Sequence, residues 1–132
     1  MSKKNNYFLL LTIFFFPIAE SKDTADFKNI SVQADQVILK EEMGELIFIN
    51  SINIKIDTLV IKGDSALMSF NDEKIEISGE QASIKSPTID GKADLFIIYP
   101  NQSIDMIGNA KLLNNGNLIS SNLIKYQITS DG

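Results

Sequence analysis

The chain has 132 residues, 12 lysines and arginines against 17 acids, a net charge of −5 and no histidine or cysteine; every cation is a lysine. That composition excludes a Ser-His-Asp triad and the common zinc and iron sites. It also argues against nucleic acid, whose phosphates need a basic footprint, and against a disulfide-stapled fold.

Lys3 and Lys4 precede the apolar run Tyr7–Ile18, and Ala19-Glu20-Ser21 puts small residues around a cleavage position. This layout predicts a secretory signal peptide over residues 1–21, cleaved near Ser21, with residues 22–132 as one exported domain. Twelve apolar residues are too few to cross a bilayer as a helix, which needs about 20. An uncleaved anchor extended through Ala19 is the alternative. No cysteine follows the run, so a lipoprotein anchor is excluded.

The rest reads as short strands. Ile30, Val32 and Ala34 alternate with polar residues, as in a half-buried strand. Val37 and Leu39 continue in the opposite parity, which predicts a bulge or bend between the two segments. Lys40–Gly44 is a turn. From Leu46 to Ile61 the β-branched content excludes a helix, and corners are expected at Asn50-Ser51 and Asp57-Thr58, giving three short strands. Gly63-Asp64 is expected to turn the chain, Ala66, Met68 and Phe70 alternate, and Asn71-Asp72-Glu73 is a hairpin turn. Ile75 and Ile77, then Ala82 and Ile84, form further strands separated by Gly79. After the loop Ser86-Pro87-Thr88 the pattern restarts at Gly91: a strand over 95–98, a turn at Pro100-Asn101-Gln102, alternation at Ile104 and Met106, and a turn at Gly108. Asn114-Asn115-Gly116-Asn117 is a strong hairpin signal. Leu118 to Ile128 closes the chain.

Gly63–Gly79 and Gly91–Gly108 form an internal repeat. Met68 matches Phe96, Phe70 matches Ile98, Ile75 matches Ile104 and Ile77 matches Met106. Short strands punctuated at this interval predict an all-β sandwich, barrel or roll. The carboxylates, among them Asp57, Asp64, Glu76, Asp90 and Asp94, sit singly in alternation with apolar residues or beside glycines, as on the solvated faces and turns of strands. A carboxylate-dependent hydrolase using Glu73 and Asp105 is the enzyme reading this leaves, and no catalytic residue, metal or cofactor is assigned.

At this point the chain resembles the OstA-like family of periplasmic lipopolysaccharide-transport proteins. Ile30–Gln36 is similar to the family's opening strand. Leu46-Ile47-Phe48 with Asn50-Ser51-Ile52 matches its T-F-x-G-N-V segment, with Asn50 in place of glycine. Thr58–Asp64 matches T-I-x-I-x-A-D, Met106–Leu112 matches L-T-G-N-A-x-L, and Ile119–Ile128 matches the closing I-x-G-D-x-I-x-Y, with Ser120-Ser121 in place of a glycine-containing turn. The resemblance implies a slightly twisted antiparallel β-jellyroll, open at both ends, that takes the acyl chains of lipid A inside.

With even parity inward, the lining would be Ile30, Val32, Leu46, Phe48, Ile52, Ile54, Met68, Phe70, Phe96 and Ile98, with Ile84 added by the family likeness. A packed core is the plain alternative for the same residues. Aspartate at Phe48 or Phe96 is expected to abolish lipid capture without unfolding. The lipid phosphates should stay in solvent, because an acidic protein without arginine offers them nothing. The resemblance also implies head-to-tail joining through edge strands, here Ile30, Val32 and Ala34 at one edge and Leu123, Tyr126 and Ile128 at the other. The resulting bridge would link an inner-membrane LptC-like protein to an outer-membrane LptD-like barrel. A membrane-anchored LptC-like subunit and a structural β-roll without ligand are the competing readings.

Overall fold

The computed structural model describes Phe27, residues 29–80 and residues 82–128; the expected signal peptide lies outside them. The strands are β1 (Ile30–Gln33), β2 (Gln36–Lys40), β3 (Glu45–Ile56), β4 (Leu59–Ser69), β5 (Lys74–Ser78), β6 (Ser83–Lys85), β7 (Ile89–Lys92), β8 (Leu95–Tyr99), β9 (Ser103–Asn114) and β10 (Asn117–Gln127). The 3-10 turn Glu41–Met43 joins β2 to β3. All the strand pairs are antiparallel and belong to one sheet.

The expected turns at Gly63-Asp64 and Gly108 are not turns. β4 runs straight through the first and β9 through the second. Gly63 is needed for close approach: a Cβ there would lie 2.5 Å from Ile77 Cγ2 and 2.9 Å from the Ser78 carbonyl. Asn50-Ser51 is likewise a bulge within one continuous β3, because Ile49 pairs with Ser65 while Ile52 pairs with Gly63. Asn50 and Ser51 take φ of 66° and 55° there. Asparagine tolerates that left-handed region better than most residues, which is how it stands in for the glycine of the family pattern. Gly108-Asn109 makes the matching bulge in β9, and Ser120-Ser121 lies within a continuous β10. The expected turns at Lys40–Gly44, Asp57-Thr58, Asn71–Glu73, Pro100–Gln102 and Asn115-Gly116 do reverse the chain.

The duplication appears as two hairpins, β4–β5 and β8–β9, laid side by side by the β5–β8 pairing of Ile75 with Ile98 and Ile77 with Phe96. The long strands divide the sheet into two tiers. In the first, the order is β2, β3, β4, β5, β8, β9, β10; in the second it is β1, β3, β4, β6, β7, β9, β10. One face of every strand except β2 and β10 is largely buried. A single sheet that buries one face in one core has to curl round on itself. The result is the expected all-β antiparallel jellyroll, with β1 and β2 at one free edge and β10 at the other.

Candidate functional site

Because the ladders are in register, the inward side chains form rungs across the whole sheet. The first tier holds Val37, Phe48, Ala66, Ile77, Phe96, Met106 and Ile124, and beside it Leu39, Leu46, Met68, Ile75, Ile98, Ile104 and Tyr126. The second tier holds Val32, Ile54, Ile61, Ile84, Gly91, Leu112 and Ile119. Each rung is sealed in the middle and opens toward its ends, except at Val32, which is 3% exposed. Phe48 and Phe96 are 0% exposed, whereas Val37 is 41%, Leu39 60% and Ile119 42% exposed. Ile30, Leu46, Phe70, Ile124 and Tyr126 are half-buried against the core. The free ends of the rungs therefore make an aliphatic seam between β1/β2 and β10.

The sequence-derived lining falls into two groups. Val32, Phe48, Ile52, Ile54, Met68, Ile84, Phe96 and Ile98 are packed in the core; Ile30, Leu46 and Phe70 are partly open. The Phe70 ring meets the Phe27 ring edge-on, with centroids 5.7 Å apart. Aspartate at Phe48 or Phe96 would bury an unpaired charge, so the expectation that these changes spare the fold does not hold. Val37, Leu39 and Ile119 face the interior but were not among the expected lining. The signal for Val37 and Leu39 was the reversed parity after Ala34, which is the bend at Asp35 between β1 and β2.

Among the described residues β1 and β2 pair only with β3, and β10 only with β9, so their outer edges have no partner. The expected edge residues Ile30 and Val32 lie on β1 and Leu123 and Tyr126 on β10; Ala34 and Ile128 directly follow these strands. The ladder also shows which N–H groups point outward. The Ile128 N–H donates to the Gln102 carbonyl, 2.9 Å. Alternation along an antiparallel strand then turns the Tyr126 N–H toward β9 and those of Lys125 and Gln127 toward the free edge. The Phe70 N–H donates to the Gly44 carbonyl, 2.9 Å; by the same rule the even residues of β3 before its bulge turn toward β4 and the odd ones toward β2, so the N–H groups of Val37 and Leu39 face out of β2.

The outer face of the first tier carries paired charges. Lys125 Nζ lies 2.7 Å from Asp105 and Lys74 Nζ 3.0 Å from Glu76. The hydrogen bond to Glu76 holds the Lys74 ammonium above its usual range. Glu73 lies in the β4–β5 turn, whereas Asp105 faces out of β9 and is neutralised by Lys125.

A comparison with curated proteins finds no sequence match. Among solved structures, the chain is similar to LptH, the LptA-homologous periplasmic component of the lipopolysaccharide-transport device of Pseudomonas aeruginosa. The TM-score is 0.67 at 18% identity, covering 74% of each chain. At that identity the likeness carries the fold alone. A family model described as LptA/(LptD N-terminal domain) LPS transport protein matches residues 31–131. The match spans both tiers and both free edges, and the chain belongs to this family of lipopolysaccharide-transport proteins.

Proposed function

We propose that this chain is a periplasmic carrier in lipopolysaccharide transport, an LptA-like protein that shields lipid A acyl chains along its seam. The observation that carries the reading is the row of interior-facing but exposed aliphatics, Leu39 foremost, at the ends of otherwise sealed rungs. A roll built only for structure has no use for an open aliphatic row. Each methylene taken out of water contributes roughly 0.8 kcal/mol, so a few of them at the seam offset the loss of a micellar environment. The unpartnered edges supply the second half of the function. β-augmentation of one roll by the next satisfies their N–H and C=O groups and extends the seam. The chain thereby becomes one unit of a head-to-tail bridge between an LptC-like inner-membrane protein and an LptD-like barrel.

A photo-crosslinking residue at Leu39 or Ile119 should trap lipopolysaccharide. The same residue at Ile38, whose side chain points outward from the neighbouring position, should not. Equal trapping at Leu39 and Ile38 would sink the seam as the binding site.

A further inference from the structure

Net charge conceals a separation of charge along the roll. Two adjacent outward rungs of the second tier carry nearly all the unpaired lysines of the described residues. One contains Lys62, Ser83, Lys92 and Lys111 in register; the other contains Lys55, Lys85 and Asp90. Lys92 and Lys111 are directly opposite each other, an arrangement that destabilises a sheet. Among the described residues neither they nor Lys55 and Lys62 are in an ion pair, whereas Lys85 reaches Asp90 at 3.6 Å. Asp57, at the β3–β4 turn, is the other acid among these rungs and the turns beyond them. The lysines thus form a collar round one end of the roll.

The hairpin at the same end adds a different signal. Leu113 and Leu118 are cross-strand partners on the outer face of β9 and β10, and they are 43% and 69% exposed. They flank the Asn115-Gly116 turn, where nothing lies within 4 Å of a Cβ built on Gly116. Exposed leucines at a tip, backed by lysines, are the elements of an interfacial lipid contact: the apolar groups enter the headgroup boundary and the cations meet phosphates. From this juxtaposition we infer that the collar end docks on an anionic phospholipid surface, with the β9–β10 hairpin tip entering it.

The acidic end of a second copy is the rival occupant. Its acids, Glu41, Glu42, Glu45, Asp72 and Glu73, are confined to two turns and the first residue of β3, joined by the Phe70 N–H to Gly44 carbonyl bond. Such a localised patch would cover only part of a collar that runs from β3 to β9, and it would leave the leucines bare. A plane of phosphates covers all of it.

The test is co-sedimentation of the full chain with phosphatidylglycerol/phosphatidylcholine vesicles and with phosphatidylcholine vesicles. The latter is a baseline to which the apolar run at residues 7–18 contributes in every variant. Each basic residue near an anionic surface is worth roughly a fivefold factor. K62E/K111E should therefore lose roughly 25-fold or more of the preference for the anionic vesicles. It should also melt no lower than the wild type, since a glutamate at 111 faces Lys92. L113S/L118S should weaken binding to the anionic vesicles while the fold persists. No anionic preference in the wild type, or either variant binding as the wild type does, overturns the inference. So does loss of self-association in K62E/K111E with its vesicle preference intact, which would assign the collar to a second copy. Neither variant touches Leu39 or Ile119, so failure here is distinguishable from failure of the seam.

Discussion

Gly63 and Leu39 show what a single side chain decides in this molecule. Gly63 lets β4 approach the end of β5, with Ile77 filling the space a Cβ would take. Gly63→Ala should cost about 1–3 kcal/mol, the range for overpacking a filled core, and thermal unfolding should show a lower midpoint. At Leu39 the opposite holds. The side chain shares a rung with Leu46 and Met68 yet stays 60% exposed, so Leu39→Asp should weaken lipopolysaccharide capture with little change in melting. Even parity found Phe48 and Ile52 together, because the bulge in β3 keeps them on one face, but it missed Ile61, Ile75 and Ile77, which are 0% exposed in the same rungs. It also missed Val37 because the bend at Asp35 resets the phase. An alternation rule has no means of carrying parity across an irregular residue.

Strand continuity was the least legible feature at the scale of elements. Glycine and asparagine were read as a corner at 50–51 and as turns at 63–64 and 108. In each case the backbone irregularity is absorbed inside a long strand, since a ladder that resumes after a register shift outweighs a local preference for a turn. The hairpins were legible because their Asn-Gly and Asn-Asp-Glu sequences lie between alternating segments with nothing else to pair with. The edge strands were legible in part: β1 and β10 were recognised, β2 was not. The direction of their N–H groups sharpens a test of edge association. Proline at Lys125 or Val37 removes a donor aimed outward, and sedimentation velocity should show loss of self-association with most of the stability kept. Proline at Tyr126 removes a bond to β9 and should lower the melting temperature as well. Identical behaviour of the Lys125 and Tyr126 variants would show that the outer edge of β10 takes no part in assembly.

For the molecule as a whole, composition and the internal duplication led to the all-β class and the family likeness to the jellyroll. The number and placement of charges needed coordinates. Five dispersed lysines give no pattern in sequence; they become a collar only when β3, β4, β6, β7 and β9 are brought into register. The expectation that phosphates gain nothing from this protein treated charge as uniform over the surface, and the ladder shows that it is not. Hydrogen exchange should report the same architecture. Amides of β4 and β9, which have strands on both sides, should exchange slowest, and the outward amides of β2 and β10 first. Uniform protection across β9 and β10 would mean that the seam is shut in solution. The curl itself has a mechanical consequence. On the closed side, β5–β8 is paired over Ile75 to Ser78 and β6–β7 over Ser83 to Lys85, two short ladders separated by Gly79–Ala82 and Ala93-Asp94. They act as the spine of a book whose leaf extends through β4 and β3 to β2. At about 4.8 Å per strand that leaf is roughly 14 Å wide, so each degree of rotation at the spine moves the seam by roughly a quarter of an ångström. On the proposed reading, cargo of different girth would be accommodated by small angular changes at two short ladders, with the long ladders β3–β4 and β9–β10 left whole.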